Sequence, residues 1–108
     1  MITTATHLAA QGRDTIAAHH LPWHVTQIGA RAEIMFMPKP PRSGADVIAG
    51  RQSEMETLLH AFYINEGILV TPFHTMLLMC PATSADDVEK HAVVFSGFID
   101  LLRKAGVV

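Results

Sequence analysis

A single cysteine, Cys80, stands in 108 residues, so no disulfide can close within the chain. That fits a reducing compartment such as the cytoplasm. Charge is also scarce: Asp, Glu, Lys and Arg make up 17% of the residues, against roughly 25% in ordinary soluble domains. Eight basic and ten acidic side chains leave a net charge of −2, and no stripe of one sign favours a nucleic-acid partner or a charged disordered tail. No apolar run approaches the roughly 18 residues of a membrane span. Met1 to Ala10 has neither the basic region nor the long apolar core of a secretory signal. The glycine patterns that cradle phosphates and the strained serine elbow of hydrolases are absent as well.

What is present is apolar: 49% hydrophobic residues, six of them Met. The length allows one domain, residues 1–108, with a real but small core. The apolar excess has two readings, a well-packed domain or a face meant for another domain or subunit.

Residues 4–20 read as a helix, weakened by Gly12 and stopped by Leu21-Pro22, because the residue before proline avoids helical geometry. Thus 1–20 is a helical N-terminal part. His24 to Ile28 and Arg31 to Met37 read as strands, with Gly29-Ala30 a tight turn or a bulge. Pro38, Pro40 and Pro41 make the following segment, 38–52, a loop excursion within the domain. Ser53 and Glu56 have capping-box spacing. Met55, Leu58, Leu59, Phe62 and Tyr63 then give one apolar helical face, closed by Gly67 at a left-handed position. Ile68 to Thr71 reads as a short strand. Thr75 to Cys80, apolar on both faces, reads as a central one. Ser84 to Asp87 opens the last helix with box-like spacing and acidic residues at its positive end. Val88, Ala92, Phe95, Ile99 and Leu102 line its apolar face, Arg103 and Lys104 lie at its negative end, and Gly106 can stop it. The expected fold is α+β: a small antiparallel sheet of three to four strands with helices packed on one side.

Seven histidines invite a metal site, but none pairs with a nearby acidic ligand on one helix face, and His19-His20 diverge by about 100° on a helix. Surface or helix-end roles are the better reading. Cys80 has no adjacent base and closes an apolar strand, so a buried inert thiol is expected. Thr71 to Thr75 is different: a polar and aromatic break between two apolar strands sets His74 at a sheet end, where rigid scaffolds carry functional loops. A plain turn with a solvated histidine is the alternative.

Three stretches carry a resemblance. Trp23 to Glu33, Asn65 to His74 and Pro81 to Val88 resemble, in this order and spacing, the small C-terminal domain of class III (fold-type I) pyridoxal-phosphate-dependent aminotransferases, closest to proteins similar to glutamate-1-semialdehyde 2,1-aminomutase. It runs from about residue 10 to the end. The resemblance implies a missing large domain that holds pyridoxal phosphate and its Schiff-base lysine. It implies amino-group transfer in the whole enzyme and a small domain that shapes the pocket and helps it close. A domain built to dock on a larger one keeps an apolar face once separated, so the fragment is expected to be a homo-oligomer, dimerising or sticking through that face. Of this chain's lysines, Lys39 lies in the proline-rich loop and Lys90 and Lys104 in the last helix. None has a phosphate-binding context, so no catalytic, cofactor-binding or metal residue is assigned, no cofactor is expected on this chain, and alone it is expected to be inactive. In the family the loop between the last two strands faces the substrate, and some members place a carboxylate-binding arginine there; the matching stretch here has none. The implied substrate contacts are Phe73, His74 and Thr75. Arg31 is a further candidate, with a salt bridge to Glu33 or a neighbour as its alternative. The competing class is a free-standing, non-enzymatic α+β module that dimerises or binds a small ligand.

Overall fold

The computed structural model describes residues 1–40, 42–46, 52–72 and 74–108. Among them α1 spans Ile2–Ala18, β1 His24–Ile28, β2 Arg31–Met35, α2 Ser53–Asn65, β3 Met76–Leu78 and α3 Ala85–Lys104. The strands form one antiparallel sheet in the order β1-β2-β3. Its buried face carries Val25, Ala32, Ile34 and Leu77, and the described helices pack on that side. This is the expected α+β architecture.

α1 buries Ala5, Leu8, Ala9, Gly12 and Ile16, a one-sided stripe of mostly small residues. Small side chains let the helix axis approach the sheet. At Gly12 an added Cβ would stand 3.2 Å from Val25 Cγ2, so the glycine that lowers helix propensity is the point of closest approach. The helix starts at Ile2, earlier than the periodicity suggests. It ends through bonds from Leu21 N to Ile16 O and from His20 N to Ala17 O, with His20 at φ 54°. That is a Schellman closure, and it acts before Pro22 is reached.

The same closure recurs twice. Ile68 N reaches Tyr63 O behind Gly67 at φ 86°, and Val107 N reaches Leu102 O behind Gly106 at φ 75°. Glycine is the expected residue at these left-handed positions, and both stops were readable; His20 was not. Gly29, at φ 56°, and Ala30 connect Ile28 to its partner Arg31, so the β1–β2 connection is a two-residue hairpin turn rather than a bulge.

Three expectations fail. First, the strand Thr75 to Cys80 is not central: β3 is an edge strand, β2 is the middle one, and Leu78 is exposed. Unbroken hydrophobicity indicated burial on both faces, yet one face of β3 is open. Second, Ile68 to Thr71 forms no ladder among the described residues. Its groups go to side chains instead: His60 Nδ1 donates to Val70 O at 3.0 Å, and Thr71 Oγ1 accepts from Met76 N at 2.9 Å. Third, Ser53 does not cap α2. Gln52 holds the cap position, its side chain tied to Phe36 O at 3.1 Å, and no side chain caps the first turn. Glu56 is drawn inward rather than back to the helix start. At α3 the capping box does form: Ser84 Oγ accepts from Asp87 N at 3.2 Å, and Asp87 Oδ2 accepts from Ser84 N at 2.9 Å.

The core is shared by the buried sheet face and the three helices, with α1 packed on the sheet and α3 on α1. Tyr63, Phe95, Phe98, Leu59, Ile99 and Leu102 are its largest sealed side chains. Trp23 meets Phe36 edge-on at 4.8 Å, and Phe62 meets Phe98 at 5.6 Å; such pairs add about 0.5–1.5 kcal/mol each beyond area burial. The apolar stripe of α3 is broader than expected. His91, Val94 and Phe98 join Val88, Phe95, Ile99 and Leu102, while Ala92 is half-buried.

Candidate functional site

Alternation along the strands sends the remaining residues to the uncovered side of the sheet. One row across β1, β2 and β3 reads Thr26, Glu33, Met76, and the next Ile28, Arg31, Leu78. His24 pairs with Met35 at the far end. A carboxylate therefore stands on the middle strand of an open face, between a guanidinium two residues before it and the loop that precedes β3.

That loop holds His74 and Thr75 in consecutive left-handed conformations, φ 66° and 42°. For a β-branched residue such as Thr75 this is costly, and such outliers persist only where surrounding contacts over-determine them. Two bonds do so here. The Thr75 hydroxyl, fully buried, donates to Ile34 O, and Met76 N donates to Thr71 Oγ1. The outcome is that His74 turns toward β2, its Nδ1 3.8 Å from Glu33 Oε1.

Glu33 is the electrostatic centre. Partial burial raises its carboxyl above the ordinary value, opposed by His74 and Arg31; Glu56 adds to the rise and His24 works against it. Among the described residues it accepts no hydrogen bond within ordinary range, His74 being its nearest recorded partner. The ion pair between Arg31 and Glu33 that their spacing allowed is not formed among the described residues. Arg31 is exposed and touches Met76 Sδ at 3.7 Å. His24 donates through Nδ1 to Met37 O at 2.6 Å. Its Nε2 is buried without a partner among the described residues.

The sequence-derived candidates thus divide. His74 and Arg31 share the open face with Glu33. Thr75 lies beneath it with its proton committed to the sheet. Phe73 lies outside the described residues. Glu33 and His24 were missed as site residues; the signal for them was strand parity, since they share a face with Arg31.

Elsewhere, Cys80 is exposed, contrary to the buried thiol expected, because the chain leaves the ladder at Met79. Thr83 Oγ1 donates to its sulfur at 3.5 Å, and this bond, helped by backbone donation from Ala82, lowers the thiol's pKa. Lys39, Lys90 and Lys104 are all exposed, whereas a Schiff-base lysine needs a desolvated setting; the lysines present do not suit that cofactor linkage. Among the described residues no group of three or more His, Cys, Asp or Glu could hold a metal ion, and no helix is long and apolar enough to cross a membrane.

No family model matches the sequence, and no curated protein does. Solved structures do match. A glutamate-1-semialdehyde-aminomutase from Pseudomonas aeruginosa PAO1 is 43% identical over 92% of this chain, with a TM-score of 0.88. A variant of it was solved in complex with PMP, at the same identity. A beta-phenylalanine aminotransferase from Variovorax paradoxus shares the fold at a TM-score of 0.86 over 95% of this chain, with 19% identity. The chain spans only 22% of the Pseudomonas protein and 24% of the Variovorax one. In fold, and at 43% identity over most of its length, the chain is similar to about a fifth of a glutamate-1-semialdehyde-aminomutase, and it shares that fold with part of other aminotransferases.

Proposed function

We propose that the chain serves as the small-domain wall of a substrate pocket in a class III aminotransferase or aminomutase, which moves an amino group with pyridoxal phosphate held by a separate large domain. The observation that carries this reading is the placement of His74 and Arg31 beside Glu33 on the sheet face opposite the described helices. In such an enzyme the cofactor supplies the electron sink for the reacting carbon. This chain's part is to bind and orient. His74 and Arg31 offer donors to an anionic substrate group, the Thr75 hydroxyl fixes the backbone that presents His74, and Phe73 supplies apolar contact. The proposed setting is the cytoplasm, as part of a homo-oligomer.

The test is a chimaera in which this chain replaces the matching segment of the Pseudomonas aminomutase. It should take up pyridoxal phosphate and retain activity. His74→Ala and Arg31→Gln should each lower kcat/KM about ten-fold, the usual scale for losing one charged substrate contact. A folded, cofactor-loaded and active chimaera whose kcat/KM ignores both substitutions would sink the pocket-wall role. Separately, borohydride reduction of the 108-residue chain with pyridoxal phosphate should leave no stoichiometric adduct. One adduct on one lysine, with half-transamination of an amino acid, would place a complete site here and overturn the reading.

A further inference from the structure

We propose that the cleft at the free edge of β3 is a binding site for a small organic anion, an apolar body the size of one aromatic ring carrying a single carboxylate. The site lies on the helix side of the sheet edge. It goes beyond the pocket-wall reading and does not depend on it.

The cleft exists because a hairpin is left unzipped. Met79 N donates to Ala30 O at 2.9 Å. Alternation along an antiparallel ladder therefore turns the N–H and C=O of Met76 and Leu78 away from β2. Met76 N finds Thr71 Oγ1 at 2.9 Å. Leu78 N has no partner among the described residues: Ile68 and Leu69 line the same cleft, but no ladder joins them to β3. The cleft measures about 240 Å³. An apolar cavity of roughly 150 Å³ already holds a benzene ring, so a ring with a short charged tail fits here.

The walls set the body of the ligand. Leu8, Leu77 and Val88, all buried, line the cleft from α1, β3 and α3. His91 lines it too. Burial pushes its pKa down to about 4, so near neutral pH the ring brings no charge. Its Nε2 meets the Tyr63 hydroxyl at 2.8 Å, while Nδ1 is buried with no partner among the described residues. A buried polar atom left in this way is uncommon, and here it belongs to a side chain that lines a cleft.

The rim sets the charge. Asp87 and Lys90 both line the cleft, but they are not equivalent. Asp87 Oδ2 already accepts from Ser84 N in the capping box, at the positive end of α3. Lys90 has no ion pair or hydrogen bond among the described residues. Its Nζ lies 3.0 Å from where a Cβ on Gly67 would stand, so the glycine that closes α2 also leaves room for the ammonium over the backbone. The uncommitted charge is therefore positive, and Leu78 N–H adds a second donor. A carboxylate can accept from both. An amine would meet Lys90 as a like charge.

The experiment titrates the 108-residue chain with phenylacetate, its neutral isostere phenylacetamide, and phenethylamine, at equal ionic strength and neutral pH. Nuclear magnetic resonance follows the methyls of Leu8, Leu77 and Val88 and the His91 ring nitrogens. Phenylacetate should move all of them along one saturating curve, with Overhauser contacts from its ring to the methyls. It should bind about three- to five-fold tighter than phenylacetamide, the scale of one partly exposed charge contact, and phenethylamine should bind more weakly than either. Lys90→Gln, at an exposed position, should bring phenylacetate down to the affinity of phenylacetamide and leave phenylacetamide unchanged, with the amide spectrum checking the fold. No saturation by about 10 mM, phenylacetate no tighter than phenylacetamide, or a preference unmoved by Lys90→Gln overturns the proposal. So do shifts confined to Arg31 and His74, which would put the anion on the opposite face of the sheet.

Discussion

At the scale of single residues, the chain places two histidines in opposite regimes. His74 sits on the open face, within the field of a carboxylate. His91 is sealed in the core, its Nε2 2.8 Å from the Tyr63 hydroxyl and its ring stacked near Phe95. Burial pushes its pKa from 6.5 down to about 4. The unfolded chain therefore takes up a proton between these values that the folded chain refuses. Stability is full above 6.5 and falls as the pH drops toward 4, by an amount on the order of 3 kcal/mol. Glu33 works the other way: its raised pKa means the folded state gains its proton first, so stability rises as the pH falls through that window toward 4.5. Thermal melts from pH 4 to 7 in a Glu33→Gln background should show the acid loss undiluted, and adding His91→Gln should flatten it. Equal slopes with and without His91 would show that this ring does not set the acid limit. Periodicity hid His91, because a polar residue inside an apolar stripe reads as a gap unless its partner is known, and Tyr63 lies 28 positions away.

At the scale of elements, the two serine-led helix starts look alike in sequence and differ in the fold. Ser84 and Asp87 exchange both capping bonds. Ser53 begins α2 one position too late to cap it, since Gln52 is anchored to the end of the sheet and sets where the helix begins. Ser84→Ala should cost about 1 kcal/mol and Ser53→Ala only a few tenths. Paired denaturant titrations measure the difference, and equal losses would mean that Ser53 caps α2 in solution. The helix ends were more legible than the starts, because Gly67 and Gly106 satisfy a local conformational demand that needs no distant partner. The strands were legible in position and not in rank. Hydrophobicity located β3, but whether a strand is central or at an edge depends on which segments pair with it. Thr71, expected to end another strand, instead gives its hydroxyl oxygen to Met76 N.

At the scale of the whole molecule, the sheet face opposite the described helices and its margin leave apolar side chains in water: Ile28 is 71% exposed, Leu78 63% and Leu69 85%. Ile28 and Leu78 flank Arg31 in one row across the sheet. A face of this kind marks a contact surface more often than an idle one, and the isolated chain should self-associate through it. Sedimentation at tens of micromolar should show a concentration-dependent dimer, weakened by Leu78→Lys; a clean monomer that binds no hydrophobic dye would exclude it. The sequence by itself determined the class of the fold and the helix stops at Gly67 and Gly106, because periodicity and glycine chemistry act within a few residues; it left the β1–β2 connection open between a turn and a bulge. It also carried the family likeness, in the order of three short stretches. Only the tertiary structure decided which strand is central, which serine caps, that Cys80 is exposed, and that Glu33 meets His74 41 positions away. Those outcomes depend on which distant groups share one dielectric environment, and no local pattern encodes that.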